Sequence, residues 1–148
     1  MVLADVLTYA QRTFEPQVMV DLATLTGAIL ISLAHEYAGL FTQNDDLAQA
    51  LVAAGEVTGE PLWRMPLTKA HDDMIKSDIA DMKNIGPRYA GSSTAAAFIG
   101  RFVENDTPWA HLDIAGTAWT DKDKDICPKG ATGYGVRLLD QLIREGYE

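Results

Sequence analysis

The sequence has little cysteine, little positive charge and no long apolar run. Cys127 is the only cysteine among 148 residues, so no disulfide can form within the chain, which favours a reducing compartment. Lysine and arginine number 12 against 21 acidic residues, and the net charge of −9 disfavours binding to nucleic acid. No apolar stretch approaches the roughly 18 residues of a membrane span, and residues 1–10 lack the basic start of a signal peptide. We expect a cytoplasmic protein that binds neither nucleic acid nor membrane.

The sequence also lacks the local motifs of several enzyme classes. It contains no HExxH zinc motif, no glycine-rich phosphate loop, and no serine or cysteine in a nucleophile-elbow sequence. Three alternating aspartates, Asp121, Asp123 and Asp125, match the start of a calcium loop. That loop then requires glycine at its sixth position and glutamate at its twelfth, where this chain has Ile126 and Thr132. A solvated charged loop is the better interpretation.

Two further sets of polar residues could bind a metal or take part in catalysis. His111 and Asp113 lie two residues apart on one face of a predicted strand. Because buried polar groups need partners, we interpret the histidine as structural, bonded for example to backbone. The second set comprises four aspartates: Asp72, Asp73, Asp78 and Asp81. No histidine or cysteine accompanies them at a spacing typical of metal ligands, so a solvated helix face explains them better.

Apolar periodicity predicts helices that alternate with short strands. Residues 18–22 and 109–114 are apolar runs that end in small hydroxyl-bearing or glycine-containing loops, which is typical of buried strands. The pattern predicts one domain with an α/β fold, a sandwich of helices and strands. Further strands are predicted at 37–42 and 81–85, an extended connector at 60–67, and a polar loop at 121–129. Helices are predicted at 2–10 (closing by 12–15), 28–34, 45–54 (capped by Asn44, ended by Gly55 and Gly59), 68–76, 92–102 (capped by Ser92 or Ser93) and 132–145.

Four strings, in order along the chain, resemble the leucyl aminopeptidase (cytosol aminopeptidase) family of dinuclear-metal exopeptidases. They are DLATLTGA at 21–28, ADMKNIGPRYAGSSTAAAF at 80–98, WAHLDIAGTAW at 109–119 and KGATG at 129–133. The opening VLADVLTYA resembles the helix that follows the family's metal signature, Asn-Thr-Asp-Ala-Glu-Gly-Arg, which is not in this sequence. The resemblance implies that residues 1–148 form the C-terminal portion of an aminopeptidase catalytic domain and begin just after that signature. It also implies the fold class, an α/β protein with a three-layer α/β/α sandwich and a mixed sheet.

The resemblance implies an enzyme that releases N-terminal, leucine-like residues from peptides. Two divalent metal ions (manganese, zinc or magnesium) activate a bridging water in that family. Their ligands, and the arginine that holds a bicarbonate-like base, lie upstream of the strings matched here. We therefore assign no catalytic residue and no metal ligand to this chain, and we expect it to bind no metal and to be inactive alone.

The resemblance also implies a set of substrate-binding residues in this chain. One group should hold the substrate and flank the bicarbonate through backbone: Thr24, Leu25 and Gly27. A second group should line the pocket for the first side chain, where small residues leave room for leucine: Ile85, Ala115 and Ala118. The family's usual arginine and proline near the end are replaced here by Gly133-Tyr134-Gly135, which alters the local loop.

Family members form hexamers, so the resemblance implies a homo-oligomer with peptide as substrate. We expect the N-terminal helix to lie at or near an interface. Two alternatives remain open from the sequence. The chain could be a non-catalytic assembly or binding module on the aminopeptidase scaffold, or a free-standing hydrolase whose site the sequence does not reveal.

Overall fold

Six helices and six strands form the part of the chain that the structure describes, residues 2–147 of a computed structural model. The helices are α1 (Val2–Phe14), α2 (Ala28–Leu33), α3 (Asp45–Thr58), α4 (Lys69–Asp73), α5 (Gly91–Gly100) and α6 (Val136–Gly146). The strands are β1 (Met19–Ala23), β2 (Ala38–Phe41), β3 (Leu62–Arg64), β4 (Trp109–Asp113), β5 (Trp119–Thr120) and β6 (Gly130–Ala131).

The first four strands form one mixed sheet in the order β1-β4-β2-β3. Strand β1 runs parallel to β4, and β2 runs parallel to β3, whereas β2 and β4 are antiparallel. The carboxyl ends of β1 and β4 therefore meet at one edge of the sheet, with Ala23 opposite Asp113. This edge is where open α/β sheets place their ligands.

Helices cover both faces of this sheet, as the alternation of side chains along β4 shows. Ala110 and Leu112 point to the face covered by α3 and α6, where they join the largest apolar cluster. Trp109 points to the opposite face and packs against Leu7 of α1 and Ile99 of α5. The predicted three-layer α/β/α arrangement with a mixed sheet is therefore confirmed, together with the strands at 18–22 and 109–114.

Helix α3 is longer than predicted. Asn44 caps it as expected, because its side-chain oxygen accepts a hydrogen bond from the Leu47 amide at 2.9 Å. The prediction that Gly55 ends the helix is wrong, since the helix continues to Thr58 and only Gly59 adopts the left-handed conformation of a C-cap. Gly55 instead permits close packing, because a Cβ there would lie 2.6 Å from the carbonyl oxygen of Glu60.

The connector predicted at 60–67 contains an edge strand. Strand β3 pairs in parallel with β2, and this edge position tolerates the prolines at 61 and 66, which cannot donate to a ladder. A second unpredicted element is the short hairpin β5–β6, in which Trp119 lies opposite Ala131. Its two strands flank the polar loop predicted at 121–129, and the final helix α6 starts at Val136 instead of residue 132.

The strand predicted at 81–85 is absent from the described residues. This segment forms bends, pairs with no strand, and most of its side chains are exposed. Its backbone is held by isolated contacts such as the hydrogen bond from the Lys83 amide to the Ile75 carbonyl at 2.7 Å. The predicted cap at Ser92 or Ser93 is also wrong: the N-cap of α5 is Ala90 with φ 54°, and both serines are buried in the first turn.

Helix α1 divides its apolar residues between two faces. Leu7 is buried and Leu3 packs partly against the same cluster, whereas Val2 and Val6 are 75% and 53% exposed. The helix therefore docks on the sheet through a narrower stripe than the sequence suggests, and it leaves apolar surface open. Within residues 2–147, no helix has both the length and the hydropathy that crossing a membrane requires.

Candidate substrate-binding site

Two loops meet at the carboxyl edge of β1 and β4. The first, residues 24–27, connects β1 to α2, and the second, residues 114–118, follows β4. A hydrogen bond of 2.9 Å from the Ile114 amide to the Ala23 carbonyl extends the strand pairing up to the point where the loops start. Five of the six predicted site residues lie on these loops, so the fold brings the two predicted groups to one edge. They are Thr24, Leu25, Gly27, Ala115 and Ala118.

Asp113 joins the two loops. Its carboxylate accepts hydrogen bonds from the amides of Leu25 at 3.1 Å and Ala115 at 3.2 Å. The other carboxylate oxygen accepts the hydroxyl proton of Thr26 at 2.6 Å. The side chain is buried, with 1% of the residue exposed, so these bonds are shielded from competition with water.

The second loop is braced from behind by the end of α2. A Cβ built on Gly116 would lie 2.1 Å from the carbonyl oxygen of Ala34, so only glycine allows this approach. His35 Nδ1 donates to the Gly116 carbonyl at 2.7 Å. Ala115 packs partly against the buried cluster that contains Ile29 and Phe41. The loop is therefore fixed to the scaffold at its base.

Ala118 is held by backbone hydrogen bonds on both sides. Its amide donates to the Ile114 carbonyl at 2.9 Å, and its carbonyl accepts from the Thr132 amide at 3.1 Å. Thr132 adds a side-chain hydrogen bond of 2.7 Å to the Thr117 carbonyl. The residue is half-buried, so its methyl group has a fixed position near the protein surface.

Ile85 stands apart from the other predicted residues. It lies on the segment that lacks a strand and is 78% exposed, so it packs against little of this chain. The next residue brings the segment close to α5, because a Cβ on Gly86 would lie 2.6 Å from the Thr94 hydroxyl. The first turn of α5 in turn neighbours that of α2, where Gly91 approaches the Ala28 methyl. Ile85 therefore lies on the same side of the molecule as the two loops, but it does not enclose a pocket with them.

His111 is a buried structural residue, as predicted, but its partner is a side chain and not the backbone. Its Nδ1 lies 2.6 Å from Asp21 Oδ1, and the other Asp21 oxygen accepts the indole N–H of Trp109 at 2.7 Å. The ring lies between those of Phe41 and Trp109, with centroid distances of 5.9 and 6.5 Å. The Nε2 atom has no hydrogen-bond partner and is fully buried. Nothing outside the core can reach this imidazole.

The remaining carboxylates do not assemble into a metal site. Among residues 2–147, no three histidine, cysteine, aspartate or glutamate side chains are grouped so that they could hold a metal ion. The aspartates of the 121–129 loop lie on the surface, and Asp123 accepts a hydrogen bond from the Lys129 amide at 2.8 Å. The buried Asp21 and Asp113 use their oxygens on protein donors. The residues present here therefore do not fit the pair of metal ions that the resemblance implies for the whole enzyme.

A surface cleft of ≈ 410 Å³ lies at the opposite edge of the sheet, where β2 ends and β4 begins. Two of its charged groups are paired with each other: Arg101 donates to Asp72 at 2.6 Å, and this hydrogen bond lowers the pKa of the Asp72 carboxyl. The cleft includes none of the predicted substrate residues. The candidate substrate-binding site is the edge formed by the two loops, because these loops carry the matching strings and are joined by a buried carboxylate.

The chain belongs to the cytosol aminopeptidase family. The model of this family's catalytic domain matches residues 1–140. The family assignment agrees with the α/β fold.

Relatives support this assignment over the whole chain. The chain is 60% identical to a protein of Dinoroseobacter shibae and 58% identical to one of Caulobacter vibrioides, each described as a probable cytosol aminopeptidase. All of this chain aligns in both cases, but it spans only 30% of each relative's length. A solved structure of a mutant tomato leucine aminopeptidase superposes with a TM-score of 0.89 at 45% identity, covering 97% of this chain and 27% of that one.

Sequence reasoning missed the residues that hold the loops in place. In the sequence, Asp113 stands out only as a neighbour of His111, and no pattern distinguishes Thr26 or Gly116. The signal for Asp113 was a charged residue at the end of a buried strand, followed by small residues. Its partners, however, lie up to 88 residues away in sequence, so spacing alone could not identify them.

Proposed function

We propose that this chain forms the substrate-binding half of a leucyl aminopeptidase active site. The observation that carries the proposal is the meeting of two loops at one sheet edge, joined through Asp113. In this proposal the 24–27 loop holds the backbone of the N-terminal substrate residue. Ala115 and Ala118 border the space for its side chain, and Ile85 approaches from the neighbouring segment.

The catalytic metal ions would be bound by residues outside this chain. When bound, such ions supply an activated water and polarise the scissile carbonyl. The chain's own contribution is to position the substrate: small residues on the second loop leave space, and the rigid scaffold beneath fixes the walls. Correct positioning of the reacting groups accounts for a large part of enzymatic rate acceleration. We also propose a cytoplasmic location, which the name of the relatives and the single cysteine support.

The proposal predicts that the isolated chain has no aminopeptidase activity, whereas a chimera has it. In the chimera, this chain replaces the 148 aligned residues of the Dinoroseobacter shibae relative. Release of 4-nitroaniline from leucine 4-nitroanilide is measured with added manganese for both proteins, and a purification from cells without the gene serves as the control. Turnover by the isolated chain above that control, or a folded chimera without the relative's activity, would show that the proposal is wrong.

We further propose that the protein self-associates, with α1 near an interface. The support is the apolar surface that α1 leaves open at Val2, Val6, Tyr9 and Phe14, which are each more than half exposed. Exposed apolar patches of this kind favour association. Light scattering should report a mass above that of the 16.1 kDa monomer, and Val6→Glu should lower it, whereas the matched change Val57→Glu on α3 should not. A monomeric mass for the unaltered chain at high concentration would contradict this.

A further inference from the structure

We infer that Asp113 is a positioning residue that sets the distance between the two substrate-binding loops. The inference rests on the proposed function, because it assigns a role to the scaffold beneath those loops. Asp113 is the last residue of β4 and lies between β1 and β2, opposite Ala23 on one side and Gly39 on the other. One rigid side chain at this central position contacts both loops.

The burial of this carboxylate needs an explanation. A charged group 1% exposed is costly unless hydrogen bonds satisfy it, and an apolar residue would fill a strand end at lower cost. All three donors to Asp113 are uncharged groups of the two loops: two amides and one hydroxyl. The buried carboxylate therefore has all its hydrogen-bond donors only when both loops are in their observed positions. The folded state thus fixes the position of one loop relative to the other.

The contact continues from the first loop into α2. The Thr26 hydroxyl donates to Asp113 at 2.6 Å and its oxygen accepts the Ile29 amide proton at 3.2 Å. Through these two hydrogen bonds, Thr26 connects Asp113 to the first turn of α2, and Gly27 lies between Thr26 and that turn. The negative charge also lies on the side of the helix N-terminus, where it is favourable.

The same geometry limits how Leu25 can contact a substrate. Its amide proton points to Asp113 at 3.1 Å, so that amide is not available to a ligand. Leu25 must therefore act through its carbonyl oxygen or its side chain. A shift of this loop would move the carbonyl directly, and with it a group that the proposal assigns to holding the substrate.

The test compares three substitutions in the chimera. Asp113→Asn keeps the shape and one acceptor oxygen but loses the acceptor for the Thr26 hydroxyl, and Thr26→Val removes that hydroxyl from the other side. We expect each to raise KM for leucine 4-nitroanilide by about 10- to 100-fold, the equivalent of one charge-assisted hydrogen bond, and to change kcat less. Thr26→Ser, which restores the hydroxyl, should return KM to near its original value.

Thr58→Val is the matched control, because that hydroxyl bonds only within α3, to the Ala54 carbonyl at 2.7 Å. Hydrogen exchange of the Leu25 and Ala115 amides, measured in the same proteins, should accelerate in Asp113→Asn and Thr26→Val alone. Unchanged KM in both variants would overturn the positioning role, as would a loss of kcat that Thr26→Ser does not restore. The proposed function is judged separately by Ala118→Phe in the same chimera, which changes substrate selectivity without touching Asp113.

Discussion

Replacing Gly116 with alanine should destabilise the chain more than the same change at a glycine that has free space around its Cβ position. The new methyl group would meet the carbonyl oxygen of Ala34 at 2.1 Å, far inside van der Waals contact. Ala34 cannot easily withdraw, because it already adopts φ 49° and ψ −128°, a conformation that favours glycine. Overpacking of this kind costs about 1–3 kcal/mol, and a backbone obstacle places the expected loss at or above the upper end.

Urea denaturation of the purified chain measures this loss, with Gly146→Ala as the matched control. Gly146 has no neighbouring heavy atom within 4 Å of the position that a Cβ would take, so alanine there should leave the free energy of unfolding almost unchanged. Equal stability of the two variants would mean that the second loop does not lie against the end of α2. The positions assigned to Ala115 and Ala118 would then be wrong as well.

The sheet and its covering helices could be predicted from sequence because their signals are local. β1 and β4 are short apolar runs bounded by polar or glycine-containing turns, and Asn44 is a capping residue immediately before a helix. Each of these features is decided by neighbouring residues. The predictions failed where a distant partner decides the outcome: β3 is a strand because it pairs with β2, whereas residues 81–85 pair with no strand.

The site was predictable only in part, for the same reason. Thr24 and Ala118 came from matching strings, not from chemistry visible in the sequence, and their role stays a prediction. The residues that determine loop geometry are recognisable only in three dimensions. Asp113 reaches Leu25 across 88 positions, and His111 reaches Asp21 across 90, so neither pair shows a local spacing pattern.

Ala118→Phe in the chimera should change the selectivity for the first side chain of the substrate. The backbone of Ala118 is fixed by hydrogen bonds on both sides, so the loop cannot retreat from a phenyl ring. One methylene in such a pocket changes discrimination by about 1–3 kcal/mol, and a ring should exceed that. Ala115→Phe is less informative, because Ala115 also packs on the core and its enlargement would strain the fold.

The most direct test of the account is the ratio of kcat/KM for leucine 4-nitroanilide to that for alanine 4-nitroanilide. We expect Ala118→Phe to lower this ratio by at least about 100-fold. Ala53→Phe, the same change on the exposed side of α3, should leave the ratio as it is in the unaltered chimera. If Ala118→Phe lowers kcat/KM equally for both substrates, or for neither, the second loop does not border the side-chain pocket. The chain then does not carry the substrate-binding half of the site.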